Sequence, residues 1–93
     1  MSGKYQVKWT NQFKKDYKLA IKRHRGIDKL DAVIVALANG EPLPPANRDH
    51  ALSGSWANHR ECHIAPDWLL IYQIKDDVLV LELTRTGSHS DLF

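Results

Sequence analysis

The chain opens with alternating polar and apolar side chains. Over residues 4–9, Tyr5, Val7 and Trp9 occupy every second position, which is the period of a half-buried β-strand. This alternation predicts a first strand that buries one face and exposes the other.

Apolar residues then recur at helical spacing in two consecutive segments. Residues 10–11 can cap the first helix and Gly26 can end it, while Asp28 can cap the second, which residues 39–40 end. Because only residues 26–27 separate them, we predict an antiparallel helical hairpin that lays its apolar side on a sheet. The apolar positions are Phe13, Tyr17, Ala20, Ile21 and His24, followed by Leu30, Val33, Ile34 and Leu37.

The second half of the chain has the pattern of an antiparallel meander. Three prolines within residues 41–47 exclude a regular helix there. Residues 69–72 and 78–81 are apolar nearly throughout, which predicts central strands covered on both sides. A turn and a short terminal segment are expected after residue 85. The predicted strands are residues 52–56, 60–65, 68–75 and 78–85.

Size and composition limit the architecture to one domain, residues 1–93. With 43% hydrophobic and 26% charged residues, the chain fits an ordinary soluble domain with a modest core and a shallow site. The uncharged apolar run at residues 32–40 is far shorter than a membrane span, and the first residues lack a signal-type apolar core. We therefore expect a cytoplasmic protein. The single cysteine, Cys62, excludes an intramolecular disulfide and a multi-cysteine zinc site.

Charge is distributed unevenly along the chain. Residues 1–30 hold nine Lys or Arg against two acids, whereas residues 31–93 hold four against nine. A cationic half suggests contact with a polyanion or an acidic partner, although a solvated helix face explains such charge about as often.

Histidines are the side chains that point most clearly to chemistry. Four of the five lie in the strand-rich half, together with Asp67 and Arg85. Since histidine gives or takes a proton near neutral pH, two or three on one surface would form an acid/base pair, although any single histidine is more often structural. The four are His50, His59, His63 and His89.

Zinc binding and cysteine chemistry are weaker alternatives. His59 and His63 are four residues apart, but in a strand that spacing is about 13 Å, too far for one zinc ion. Cys62 follows Glu61 rather than an activating cation, so we expect it to be packed and inert. We therefore predict no metal and no cofactor.

RNA cleavage by the ribose 2′-hydroxyl would use these residue types. It needs a base, an acid and a cation that stabilises the phosphorane, and a guanidinium such as Arg85 suits the last role. A salt bridge from Arg85 to Glu82 or Asp91 is the alternative. Trp68 and Phe93 are candidates for stacking on a base or for core packing.

Residues 50–56, 60–72 and 85–93 closely resemble the YafQ toxins of the RelE/ParE superfamily, and residues 18–24 and 42–44 also match that family. The likeness runs nearly end to end. It implies an α+β fold in which an N-terminal strand and a two-helix hairpin pack on one face of a twisted antiparallel sheet, while the other face receives mRNA.

The resemblance further implies a type II toxin, a ribosome-dependent mRNA endonuclease that cuts the A-site codon and is neutralised by an acidic antitoxin. It leaves open whether His50 or His63 is the general base, and it does not include His59. The implied catalytic residues are His50, His63, Asp67, Arg85 and His89, with His89 the proton donor and Trp68 and Phe93 beside the substrate.

The resemblance implies that the cationic half of the chain contacts ribosomal RNA. The toxin–antitoxin complex would bind operator DNA through the antitoxin, and we expect no membrane partner. The residues expected to meet ribosomal RNA are Lys14, Lys15, Lys18, Lys22 and Arg25.

Two other functions are compatible with the sequence. A non-enzymatic toxin that acts on gyrase, like the ParE branch of the superfamily, would need no histidine cluster. A plain RNA-binding or complex-forming domain would need only the basic helix.

Overall fold

A computed structural model describes residues 3–93, which form a five-stranded sheet with two long helices on one face. The α+β class is therefore confirmed. Met1 and Ser2, which the predicted domain includes, lie outside the described residues. The elements are β1 (Gln6–Trp9), α1 (Asn11–Lys22), α2 (Ile27–Ala38), β2 (His50–Ala51), β3 (Arg60–Ala65), β4 (Trp68–Lys75), β5 (Val80–Gly87) and α3 (His89–Leu92).

The sheet is mixed rather than wholly antiparallel. Its order is β1-β5-β4-β3-β2, and the pairs from β2 to β5 are antiparallel as predicted. β1 instead pairs with β5 in parallel, with Val7 opposite Leu81. Alternation along a strand reports which face is buried and carries no information about the direction of its partner, so the sequence could not show this.

Two predicted boundaries are wrong because the backbone turns where the pattern suggested continuity. Residues 52–56 are not a strand: β2 has only two residues, and Gly54–Trp56 is a 3-10 turn entered through Gly54 at φ +66°. β5 begins at Val80 rather than at residue 78, since Leu79 takes φ +52°. Val78 and Leu79 are consequently exposed.

The connection between the two helices is longer than the predicted residues 26–27, because it runs over residues 23–26. Thr10 caps α1 by accepting a hydrogen bond from the N–H of Phe13 at 3.0 Å. α1 ends at Lys22, and α2 begins after Gly26, whose φ of +74° suits glycine. Asp28 therefore lies in the first turn of α2 and does not cap it.

The sheet separates two apolar clusters. α1 and α2 cover one face, here called the helix face, where Phe13, Leu30 and Trp68 are buried. On the second face Leu69 and Ile71 pack beneath Leu92, Leu52 and Trp56. This face is therefore partly covered, although we predicted that it would be open to mRNA.

β4 and Cys62 behave as the sequence predicted. Residues 68–72 of β4 are buried throughout, as expected of a central strand covered on both sides. Cys62 is fully buried on the helix face, and burial raises the pKa of its thiol to about 12. No helix within residues 3–93 is long and apolar enough to cross a bilayer.

One carboxylate joins α1 to the free edge of β5. β1 ends at Trp9, so the last residues of β5 have no strand partner on that side. Asp16 of α1, which is buried, accepts hydrogen bonds there from the backbone N–H of Thr86 at 3.1 Å and from Arg85 Nε and Nη2 at 2.8 and 3.2 Å. Gln12 donates a further bond at 3.1 Å.

Asp16→Ala tests this junction. The substitution leaves a buried N–H and a partly buried guanidinium without their acceptor, so we expect the free energy of unfolding to fall by about 3 kcal/mol. Urea unfolding followed by circular dichroism measures the change. Asp77→Ala, at an exposed acid, should change stability by less than about 0.5 kcal/mol. Equal effects of the two substitutions would contradict the role given to Asp16.

Candidate active site

β2 and β3 bring two histidines to one acid on the second face. Cys62 points to the helix face, so its neighbours Glu61 and His63 point the other way. His50 lies directly opposite Glu61 in the β2–β3 pairing. Glu61 Oε1 is 3.6 Å from His50 Nε2 and 3.8 Å from His63 Nε2. Glu61 is only 5% exposed, so its carboxylate is held between the two rings.

Hydrogen bonds to backbone carbonyls hold the ring of His50 and the backbone of His63. His50 Nδ1 lies 2.7 Å from the carbonyl oxygen of Arg48, and because a carbonyl only accepts, Nδ1 carries the proton. Nε2 is then the basic nitrogen of His50. On the other strand, Asn47 Nδ2 donates to the carbonyl of His63 at 2.7 Å. This bond ties the loop before β2 to the end of β3.

Asp67 holds the third histidine from the turn between β3 and β4. Asp67 Oδ1 accepts hydrogen bonds from His89 Nδ1 at 2.7 Å and from the His89 backbone N–H at 3.1 Å. These bonds lower the pKa of the Asp67 carboxyl. A carboxylate only accepts, so Nδ1 carries the proton and Nε2 is left to face substrate. The His89 side chain is 55% exposed and therefore accessible.

The start of α3 is set by its own cap. Ser88 and Asp91 form a reciprocal capping box, with the Ser88 N–H donating to Asp91 at 2.9 Å. Gly87 permits this close approach, because a Cβ there would lie 2.9 Å from Asp91 Cβ. His89, the first residue of α3, is thereby fixed beside the sheet.

The group around Glu61 meets the His89–Asp67 pair. The rings of His63 and His89 have centroids 5.9 Å apart, so contacts run from His50 through Glu61 and His63 to His89 and Asp67. A groove of about 440 Å³ adjoins His63. Its other walls are Ala46, Asn47, Arg48, Ile64, Ala65 and Pro66.

Arg85 shares the face but does not touch the histidines. The register places Glu61 opposite Ile71 and Ile71 opposite Arg85, so Arg85 lies two strands from Glu61, roughly 10 Å. Its guanidinium turns toward Asp16, whose hydrogen bonds raise the pKa of Arg85.

The predicted alternative partners of Arg85 are both engaged elsewhere. Glu82 lies 3.3 Å from Lys75 and Asp91 lies 3.0 Å from Arg23. A salt bridge exists, as that alternative held, but its acid is Asp16 from a helix 69 residues away in sequence.

The two aromatic candidates differ in access. Trp68 is 1% exposed, and its indole N–H donates to Thr86 Oγ1 at 2.9 Å on the helix face. A base cannot stack on a ring packed in this way, so the interpretation of Trp68 as a stacking surface is corrected to core packing. Phe93 is 62% exposed and its ring is open.

The five basic candidates also separate. Lys14, Lys15, Lys18 and Lys22 lie exposed on the side of α1 opposite its buried residues, and we call these four the basic face. Arg25 lies beyond the end of α1, and its guanidinium carbon is 5.8 Å from the centroid of the Trp68 ring. The helical pattern placed Arg25 with the lysines because it predicted a helix that continued to Gly26.

Sequence reasoning missed Asp16 and Glu61. Each carried a signal, because Asp16 is the only acid among the first 27 residues and lies on the apolar side of α1, between Phe13 and Ala20. Glu61 is two residues from His63 in a strand and therefore shares its face. An acid on an otherwise apolar face is a candidate for a buried polar role.

No three or more His, Cys, Asp or Glu side chains within residues 3–93 are arranged to hold a metal ion.

Comparison with known proteins shows which family the chain resembles. A family model described as the bacterial toxin of type II toxin–antitoxin system, YafQ, matches residues 5–93. The mRNA interferase toxin YafQ of Escherichia coli K12 is 44% identical over 88 residues, which cover 94% of each chain.

Two solved structures are similar along almost their whole length. One is the Escherichia coli DinJ–YafQ toxin–antitoxin complex, with 42% identity, a TM-score of 0.88 and coverage of 97% of this chain and 98% of that one. The other is a metal-bound toxin from Helicobacter pylori, with 41% identity, a TM-score of 0.89 and full coverage of both chains. The chain therefore belongs to the YafQ family, bacterial toxins of type II toxin–antitoxin systems.

Proposed function

We propose that this toxin is a ribosome-dependent endoribonuclease that cleaves mRNA in the A site by metal-free acid/base chemistry and so inhibits translation. The observation that carries the proposal is an exposed His89 whose Nδ1 is held by Asp67, 5.9 Å from the ring of His63. The mRNA interferase name of the Escherichia coli relative supports the same reaction.

The first proton transfer needs a base for the ribose 2′-hydroxyl. His50 and His63 are the candidates, since each has Nε2 near Glu61 and one of them borders the groove. The Glu61 carboxylate stabilises the imidazolium that forms when either ring takes the proton. The 2′-oxygen then attacks phosphorus and forms the new P–O bond.

The second transfer needs an acid for the leaving 5′-oxygen. The Asp67 carboxylate accepts the Nδ1–H of His89 and so fixes the ring, which leaves Nε2 pointing away from Asp67 as the nitrogen that would donate the proton. Donation of that proton breaks the bond between phosphorus and the 5′-oxygen. The products would be a 2′,3′-cyclic phosphate and a 5′-hydroxyl.

Arg85 is the candidate stabiliser of the phosphorane. Arg85 donates to Asp16 through Nε and Nη2, so Nη1 takes no part in that salt bridge. The Asp16 carboxylate thereby fixes the orientation of the guanidinium. A guanidinium held in this way meets phosphate oxygens without further ordering. Phe93, exposed beside α3, is the remaining candidate for stacking on a base.

The Helicobacter pylori relative is a metal-bound toxin. The described side chains of this chain do not supply a group of three or more ligands in suitable geometry. Both proton transfers are accordingly assigned to imidazoles.

The proposed partners follow from charge and from the comparison. The basic face would meet ribosomal RNA by sequence-independent contacts, and the toxin would act in the cytoplasm. The DinJ–YafQ complex supports a cognate antitoxin for this chain too. The complex of this toxin with its antitoxin would bind operator DNA through the antitoxin.

His89→Gln tests the proton donor. Loss of a general acid should lower the rate of mRNA cleavage on programmed ribosomes by about 10²- to 10⁴-fold, with antitoxin binding and unfolding midpoint retained. Primer extension on the mRNA measures the cut.

His59→Gln is the matched control, because His59 Nδ1 lies 3.0 Å from the Ala57 carbonyl and its ring packs edge-to-face against Trp56, outside the cluster. It should leave the cleavage rate unchanged. Full toxicity of His89→Gln would overturn the nuclease proposal, and with inhibited DNA supercoiling it would favour a gyrase-directed toxin.

Removal of two charges from the basic face tests docking. Lys14→Ala combined with Lys18→Ala should weaken binding to 70S ribosomes and reduce the slope of log affinity against log salt by about 0.7 to 0.9 for each lost phosphate contact. Sedimentation with ribosomes at several salt concentrations measures both quantities. Lys8→Ala with Lys29→Ala removes equal charge from exposed sites outside the basic face. An identical slope for the two double variants would contradict the assignment.

A further inference from the structure

Three arginines, two from the segment after α1 and one from β5, line one cavity beside α3. The cavity has a volume of about 210 Å³ and lies between the end of α1, β5 and α3. Trp68 and Gly87 form part of its wall. The three arginines are Arg23, Arg25 and Arg85.

Two of these arginines already have carboxylate partners. Asp16 holds Arg85 at 2.8 Å and Asp91 holds Arg23 at 3.0 Å. Within residues 3–93, no carboxylate oxygen lies within 4.0 Å of the Arg25 guanidinium. The cavity therefore has three cations and two anions, an excess of one positive charge that resides on Arg25.

Trp68 orients the unpaired guanidinium. Arg25 lies over the buried indole, within the distance at which a cation is attracted by the ring face. The indole is itself fixed by its hydrogen bond to Thr86. Arg25 is therefore partly buried and presented at a recessed surface, unlike the exposed lysines of the basic face.

The cavity adjoins the proposed proton donor. Asp67 lies between Pro66, which lines the groove beside His63, and Trp68, which lines the cavity. Gly87, also in the cavity wall, is two residues before His89. The His89–Asp67 pair consequently stands at the boundary between the groove and the cavity.

We propose that this cavity is a second phosphate subsite, which binds the RNA phosphate next to the scissile one through Arg25. The inference rests on the proposed function and deepens it. A strand whose scissile phosphate lies at His89 extends past this boundary, and its next phosphate meets Arg25, the one arginine of the cavity that forms no salt bridge within residues 3–93. A guanidinium donates two parallel hydrogen bonds to such a group. Arg25 is thereby assigned to mRNA rather than to ribosomal RNA.

The test uses the full chain carrying His89→Gln, with and without Arg25→Gln. The probe is a short single-stranded RNA with one 2′-deoxy nucleotide at the cleavage position, followed by NMR. Binding should shift the indole N–H resonance of Trp68 and the Nε–H resonance of Arg25. Arg25→Gln should raise Kd about tenfold, the loss expected for a hydrogen bond to a charged group. The slope of log affinity against log salt should fall by about 0.7.

Two further variants separate phosphate binding from packing. Lys29→Gln removes an exposed charge outside the cavity and should change neither Kd nor slope. Arg25→Lys keeps the charge without the planar fork, so it should keep the salt slope and recover part of the affinity. A purely structural role of Arg25 would leave the slope unchanged in Arg25→Gln.

The proposal is overturned if Arg25→Gln binds the RNA like Lys29→Gln, or if no Arg25-dependent binding occurs. Failure of the proposed function is a separate outcome: the chain with His89 intact would then cleave no mRNA on ribosomes. Cleavage with an unchanged Kd in Arg25→Gln would reject the subsite alone.

Discussion

The carboxylate of Asp16 connects the fold to the site. β5 extends beyond the end of its parallel partner β1. The backbone N–H of Thr86 is buried at this unpaired edge, and a buried N–H costs free energy unless an acceptor binds it. Asp16 meets Thr86 and also holds the guanidinium of Arg85. The same strand end leads through Gly87 into α3, so the position of His89 depends on how this edge is closed.

The charged and titratable side chains of the molecule lie in three separate groups. Exposed lysines lie on the outer side of α1, suited to a polyanion that is read only by its phosphates. The arginines of the cavity are held by acids or by an indole, which fixes their direction. The three imidazoles fall into two groups: His50 and His63 lie against Glu61, and His89 is held by Asp67.

Local patterns predicted what local physics determines. The helices, the buried strand β4 and the inert Cys62 follow from periodicity and composition. The direction of β1 and the partner of Arg85 depend on contacts about 70 residues apart, which no local pattern reports. Arg25 lies outside the basic face because α1 ends at Lys22, before the residue that the predicted helix included.

The site was predictable to the extent that residue type implies chemistry. Histidines, an arginine and an acid indicated proton transfer and phosphate binding before any geometry was known. Trp68 shows the limit, because a tryptophan beside a site has the same sequence signal whether its ring is open or buried. Glu61, in contrast, could have been predicted, since strand alternation places it on the same face as His63.

Attack by the ribose 2′-hydroxyl, with both proton transfers made by histidines, is the central claim. An mRNA with a single 2′-deoxy nucleotide at the scissile position of the A-site codon tests it most directly on programmed ribosomes. The account predicts no cleavage of that mRNA, and a 2′,3′-cyclic phosphate end on its all-ribose counterpart. Cleavage of the deoxy-substituted mRNA at the normal rate, with a 5′-phosphate product, would contradict it.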